Sequence, residues 1–243
     1  MTKIMLDAGH YGKYNAGSVS GYYESDMTWK LQNYMKAELE SYGFEVGVTR
    51  TNKDTDLAVY NRGQKAKGYD LFISLHSNAI NSEPTKRVVV IYPVSGKGKA
   101  IAQKLGDTVL ATMNLKNDKY WYTQLTTRAF SSAKPKVDYY GVIRGATDVG
   151  VPGLIIEHSF HTNKEACKWL MSDANIKKLA KAEAKTLAEY YGLAKKETTT
   201  TTTTSNKKIY RVQAGAFSTK AAANDHIKKL KAAGFEACIA SED

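Results

Sequence analysis

Three residues able to do acid–base or metal chemistry stand where apolar runs end: His10 after KIMLDAG, His76 after DLFISL, and Glu157 after VPGLII. A fourth, Glu24, opens the first long helical pattern. Two imidazoles and a carboxylate are the ligand types of a catalytic zinc, and a second carboxylate is what such a site needs as proton carrier. The set points to a metallohydrolase.

Each member also has a plainer reading. His10 follows Gly9, which permits a sharp turn, so it is either a turn histidine or a ligand. His76 is either a satisfied core histidine or a ligand, and Glu24 is either a carboxylate favoured by the helix dipole or a ligand. Glu157 is harder to explain away, because an unpaired charge at the end of a buried strand costs several kcal/mol, on the order of the penalty for a broken buried pair. A metal, or water next to one, would supply its partner. His158 competes for the ligand role, but neighbours on a strand face opposite sides, so it points away if Glu157 points in. His161 lies in the loop before a helix capped by Thr162 or Asn163, and capping or surface exposure is expected for it. The string EHSFH is not HExxH.

Strand-like segments at 3–7, 44–49, 71–75, 88–92, 139–143 and 154–157 alternate with helical patterns at 24–41, 55–67, 98–113, 164–170 and 175–191. The expected fold is an α/β helix–sheet–helix sandwich with a mostly parallel or mixed sheet. Runs such as VVVIY and LFISL have the continuous apolar character of strands covered on both faces. In such sheets functional groups gather past the carboxyl ends of the strands, where His10, His76 and Glu157 stand. Strand ends hold side chains with little freedom, which suits a metal.

At 243 residues and 42% hydrophobic content, the chain holds one domain of roughly 150–200 residues and a small appendage. A run of threonine from Thr198 to Thr204 has no apolar period and reads as a solvated linker, so the expected division is 1–193, a linker at 194–208, and 209–243. Within the tail, IYRVQAGAF, STKAAANDHIKKLKAAG and FEACIA read as strand, helix and strand, with Ser218 or Thr219 as N-cap and Gly234 as the stop. Cys167 and Cys238 are isolated, which excludes a disulfide framework and a thiolate zinc site. The net charge of +11, from 35 Lys and Arg against 24 Asp and Glu, favours polyanionic partners. The basic runs lack the aromatic interleaving of a base-stacking platform, which argues against nucleic acid. No apolar stretch long enough to span a membrane is present, nor an apolar leader after Met1. Synthesis in the cytoplasm is therefore expected. The segment 114–138, with Tyr120, Trp121, Tyr122 and Arg128, is expected to shape a substrate groove.

DAGH at 7–10, Glu24, NRG at 61–63, ISLHSNA at 73–79 and VPGLIIEHSFHTN at 151–163 together resemble the zinc-dependent N-acetylmuramoyl-L-alanine amidases of the Amidase_3 type. The resemblance spans residues 1–192 and implies zinc ligation by His10, Glu24 and His76, with Glu157 as the catalytic carboxylate. It implies hydrolysis of the amide between the lactyl group of N-acetylmuramic acid and the L-alanine of the stem peptide. Asn78, Arg62 and Arg144 are candidate supports. Two departures stand out: Ala8 replaces the family's proline, which loosens the turn, and His158 and Ser159 follow Glu157 where the family tends to have a small residue and glycine. The tail resembles the first half of a SPOR-type peptidoglycan-binding repeat through Tyr210, Val212, Gln213, Gly215, Ala216, Phe217 and Ala223. Thirty-five residues are too few to close such a core alone, so homodimerisation through the tail, or ordering on glycan, is expected, with Tyr210, Arg211 and Gln213 as contacts. These resemblances imply a peptidoglycan partner, of Gram-positive type given the charge. They imply action after release by a holin or by lysis, in a phage endolysin or, alternatively, a bacterial autolysin or mother-cell amidase. A non-catalytic wall-binding protein on the same fold is the remaining alternative.

Overall fold

The apolar runs form the strands expected of them. β1 (Lys3–Ala8), β2 (Glu45–Val48), β3 (Leu71–Asn78), β4 (Val88–Ile91), β5 (Thr123–Thr126) and β8 (Gly153–Phe160) make one six-stranded sheet in the order β2-β1-β3-β8-β4-β5. The first four strands in that order run parallel, β4 runs antiparallel to β8, and β5 runs parallel to β4. A separate two-stranded ribbon joins β6 (Ala129–Ser131) to β7 (Lys134–Asp138). The computed structural model describes residues 1–81, 85–116, 118–195 and 214–232. The chain divides into two compact units, Met1–Glu197 and Thr198–Asp243.

Helices cover both faces of the sheet. On one face α1 (Glu24–Ser41), α3 (Lys99–Met113), α5 (Lys164–Met171) and α6 (Asp173–Tyr190) bury Leu31, Met35, Leu105, Val109, Cys167 and Leu187 against Ile4, Leu6, Ile73, Leu75, Leu154 and Ile156. On the other face α2 (Val59–Gln64) and α4 (Gly141–Asp148) pack near Met5, Phe72, Val89 and Ile155. This arrangement is the helix–sheet–helix sandwich expected from the pattern, with a mixed sheet.

Residues 139–143 are not a strand. The strand lies earlier, at β7, and Val142, Ile143 and Ala146 recur at helical spacing to bury one face of α4. The helix expected over 55–67 is shortened to α2. Its contact with α4 is backbone to backbone: a Cβ on Gly63 would lie 2.1 Å from the Val142 carbonyl oxygen, and one on Gly145 would lie 2.2 Å from that of Tyr60. Glycine at both positions lets the helices approach and sets the height of Arg62. The groove segment 114–138 contains β5 and the β6–β7 ribbon, and Trp121 is a core residue while Tyr122 is exposed.

In the second unit α7 (Lys220–Ala232) occupies the expected helix, and Thr219 Oγ1 accepts from the Ala222 N–H as an N-cap does. The expected linker beyond residue 195, residues 209–213 of the first tail strand with the wall contacts Tyr210, Arg211 and Gln213, and the second tail strand lie outside the described residues, whereas residues 214–217, expected to complete the first tail strand, are not in a strand. Among the described residues no helix is long and apolar enough to cross a membrane.

Candidate active site

Alternation along the strands decides which polar residues meet. Met5, Phe72 and Ile155 pack on the α2/α4 face, so Asp7, Ser74, His76 and Glu157, each an even number of residues along the same strands, share it. His76 and Glu157 are register partners across β3 and β8. His10 follows β1 in the left-handed region, φ 60°, a conformation uncommon for a residue with a side chain. Gly9 has no room for a Cβ, which would sit 2.3 Å from the His76 ring. The DAGH turn therefore lies directly on His76.

The turn is held by hydrogen bonds in place of a proline. The Ala8 N–H donates to Gln32 Oε1 at 2.9 Å, a bond that proline could not make, so the expected loosening is offset. The Ala8 carbonyl accepts from Arg50 and Arg62, and Arg62 also reaches the His10 carbonyl at 3.4 Å and lies 3.6 Å from Asp7. Arg62 is thus buried scaffolding beneath His10.

Glu24 enters from the first turn of α1 and is buried. Its Oε1 lies 3.0 Å from His76 Nδ1 and accepts from the Ser77 N–H at 2.9 Å; its Oε2 lies 3.1 Å from His10 Nε2 and accepts from Asn15 Nδ2 at 2.6 Å. Burial alone would raise the Glu24 pKa, but the hydrogen bonds and charges of His10 and His76 outweigh it and hold the carboxyl well below the usual range. Burial likewise opposes protonation of His76, yet the bond and charge of Glu24 push it up to about 9. One ligand atom each from His10, Glu24 and His76 lies within 4.8 Å of the others.

A relay fixes the second nitrogen of His76. Nε2 lies 3.0 Å from Ser74 Oγ, and Ser74 donates to Asp7 Oδ2 at 2.6 Å, while Thr49 donates to Asp7 Oδ1 at 2.6 Å. With its proton given to Asp7, the Ser74 hydroxyl accepts from Nε2–H and leaves Nδ1 for the Glu24 side.

Glu157 differs from every other charged group nearby. It is half-buried, and its Oε2 is enclosed with no hydrogen-bond partner among the described residues. Burial, reinforced by the charge of Glu24 and opposed by that of His76, pushes its pKa up to about 7. The donor set fits a zinc ion: two imidazoles and a carboxylate converge, the second imidazole nitrogen has an outer partner, and an unpartnered carboxylate stands beside them.

His158 faces away, as alternation requires. Nδ1 donates to the His76 carbonyl at 2.8 Å, and Nε2 lies 3.3 Å from both oxygens of buried Glu183 on α6. Burial opposes its protonation, but Glu183 outweighs that and raises its pKa. His161 is buried, not exposed or capping: Nδ1 lies 2.9 Å from Ser77 Oγ and 4.0 Å from Glu24 Oε2, and Tyr22 stacks on its ring. The cap of α5 is Asn163, which accepts from Glu165 and Ala166. The Asn78 side-chain oxygen accepts from the N–H of its own neighbour, Ala79, and its backbone carbonyl accepts from the His161 N–H. Arg144 holds the Asp138 and Tyr139 carbonyls and faces Phe130 and Tyr60, so it braces the ribbon. Sequence reasoning missed Asp7, Asn15, Ser74, Ser77 and the placement of His161. The dyad spacing of Ser74 and His76 was a usable signal; the others depend on contacts between distant elements.

Fold and site together define a hydrolase built on a mixed α/β sheet. The chain belongs to the Amidase_3 family of N-acetylmuramoyl-L-alanine amidases, whose match covers residues 4–189, and it is a peptidoglycan amidase. A SPOR domain match covers residues 177–241. It overlaps α6, whose Leu179, Ala184 and Leu187 belong to the core of the first unit. Among relatives, the chain is 26% identical over 248 aligned positions to the N-acetylmuramoyl-L-alanine amidase CwlM of Bacillus licheniformis, spanning 100% of this chain and 86% of that one. It is 28% identical over 204 positions to an endolysin of Bacillus phage SPP1, spanning 81% and 69%. The catalytic domain of the amidase CwlV from Bacillus (Paenibacillus) polymyxa superposes with a TM-score of 0.66 at 21% identity, covering 80% of this chain and 100% of that one.

Proposed function

We propose that the chain cleaves the amide between the lactyl group of N-acetylmuramic acid and L-alanine with a zinc ion held by His10, Glu24 and His76, and with Glu157 carrying the proton. The observation that carries this reading is the enclosed, unpartnered Oε2 of Glu157 beside the three converging donors. When bound, zinc acidifies water towards a pKa of about 7 and polarises a carbonyl. Glu157 takes the proton of the attacking water on its enclosed carboxylate, then delivers it to the L-alanine nitrogen as the C–N bond breaks. Glu24 stays anionic throughout, held by the Ser77 N–H and the Asn15 amide. Arg62 and Arg50 hold the carbonyls that fix the turn carrying His10.

The residues 209–243 serve as the wall-binding unit, a reading supported by the SPOR match, and residues 194–208 as the linker to it. The net charge of +11 draws the enzyme to an anionic wall of Gram-positive type, and the attraction weakens as salt rises. A lytic role, as in the phage endolysin relative, is the reading adopted. A bacterial autolytic or mother-cell role has its own support, because CwlM and a sporulation-specific amidase of Bacillus subtilis match along 100% of the chain. The test is release of L-alanine amino termini from purified wall, without new reducing ends, before and after chelation and zinc return. Clearing that survives both exhaustive chelation and Glu157→Ala overturns the proposal.

A further inference from the structure

Arg87 immediately precedes β4, and no step of amide cleavage described above uses it. Val89 is the register partner of Glu157, and partners across an antiparallel pair project to the same face. Arg87, two residues from Val89, returns to that face about 7 Å further along, on the carboxyl-end side of β8. Its contacts agree. The guanidinium carbon lies 5.1 Å over the Phe160 ring and 6.0 Å from that of exposed Tyr122, and Nε donates to Gln124 Oε1 at 2.5 Å. Gln124 is in turn the register partner of Val89 on β5.

Three other cations around the site are spent on the protein itself. Lys86 pairs with Asp118 and Glu165, Arg62 with Asp7 and backbone carbonyls, and Arg50 with carbonyls. Arg87 is half-buried and, among the described residues, pairs with no carboxylate and uses only Nε as a donor. Among the described residues its terminal fork is therefore free while its stem and plane are fixed, the condition under which arginine takes a carboxylate bidentately. Two extended residues of a peptide span about 7 Å, the same offset that separates Arg87 from the level of Glu157 along the sheet.

We propose that Arg87 binds a stem-peptide carboxylate carried by the residue that follows L-alanine, so that the enzyme prefers a free carboxylate there over a carboxamide. This rests on the amide-cleavage reading. The test uses two soluble disaccharide-peptide substrates that differ only in carboxylate or carboxamide at that residue. Wild-type enzyme turns over the carboxylate form with a kcat/KM about 10- to 100-fold higher, mostly through KM, the span expected of a charge-assisted hydrogen-bonded pair. Arg87→Gln brings the two substrates to the same kcat/KM, and Arg87→Lys restores part of the preference. A wild-type enzyme that cleaves both equally, or an Arg87→Gln variant that keeps the ratio, overturns the inference while leaving amide cleavage standing. Cleavage of neither substrate by wild type overturns both.

Discussion

Replacing Ser74 with alanine removes a single oxygen, the one that lies 3.0 Å from His76 Nε2 and 2.6 Å from Asp7 Oδ2. His76 then has an N–H with no acceptor, and nothing favours the tautomer that leaves Nδ1 open towards Glu24. Outer partners of metal-bound histidines typically account for about 10- to 100-fold in affinity, so Ser74→Ala weakens zinc binding by about 1.4–2.7 kcal/mol. Stability changes through a different group. Asp7 keeps Thr49 at 2.6 Å and Arg62 at 3.6 Å, so the fold survives with a cost of about 1–3 kcal/mol for the lost buried bond. The two effects separate by measurement: competition with a chromophoric chelator reads affinity, the visible spectrum of the cobalt form reads ligand geometry, and thermal unfolding of metal-free protein reads the fold. Ser74→Thr, which keeps the hydroxyl, restores affinity. Zinc affinity within threefold of the parent in Ser74→Ala, accompanied only by a lower Tm, refutes the relay.

Glu157→Gln lowers kcat on wall by about 10²- to 10⁴-fold, the usual contribution of a positioned acid–base group. Because the folded Glu157 pKa is raised from 4.5 to about 7, the carboxyl costs metal-free protein stability progressively between those values. Urea unfolding should therefore show Glu157→Gln gaining on wild type by on the order of 2–3 kcal/mol from pH 4.5 to pH 7.5, and a pH-independent difference contradicts this. The His158–Glu183 pair has the opposite sense: the folded His158 pKa is raised, so its contribution is full below the ordinary value of 6.5 and is lost as pH rises through the folded value. Glu183→Gln accordingly costs about 3–5 kcal/mol at pH 6 and less at pH 9 in the same assay, whereas an equal loss at both ends rejects the ionic reading. Truncation after Glu197 should leave turnover of a soluble muropeptide within about twofold, since the first unit has its own core. Co-sedimentation with wall should drop, and retained sedimentation argues against a binding role for the tail.

The strands were legible because each buried one is a nearly continuous apolar run; His10, His76 and Glu157 were legible because they end such runs, and Glu24 because it opens the first helical pattern. β5 was not: TQLT is a half-buried edge strand with one apolar residue, and its pairing with β4 depends on tertiary contact. Residues 139–143 misled because a five-residue window cannot separate a strand from the start of a helix; Ala146, three residues on from Ile143, carries the period that decides it. His161 looked like a loop residue, yet its surroundings are Tyr22, Ser77 and Glu24, all remote in sequence. Arg62 was legible as a support, but its role beneath the His10 carbonyl requires a helix contact set by Gly63 and Gly145 that hydropathy does not register.

Neighbouring residues on β8 show how the fold leaves a carboxylate oxygen without a partner. Glu157 and His158 differ by one position and hence by one face. His158 meets Glu183 and the His76 carbonyl and is fully satisfied in the core, whereas Glu157 has one oxygen without a partner. Polar partners were therefore available within one residue, and strand alternation withholds them from Glu157. Ser159 next enters the left-handed region at φ 65° with its hydroxyl bonded to the Lys86 carbonyl, and the register with β3 shifts beyond His76. That irregularity brings Phe160 back to the site face, where its ring lies under Arg87. On the proposed readings, Ser159 separates two functions on one strand, the proton carrier Glu157 below it and a carboxylate-binding platform above it.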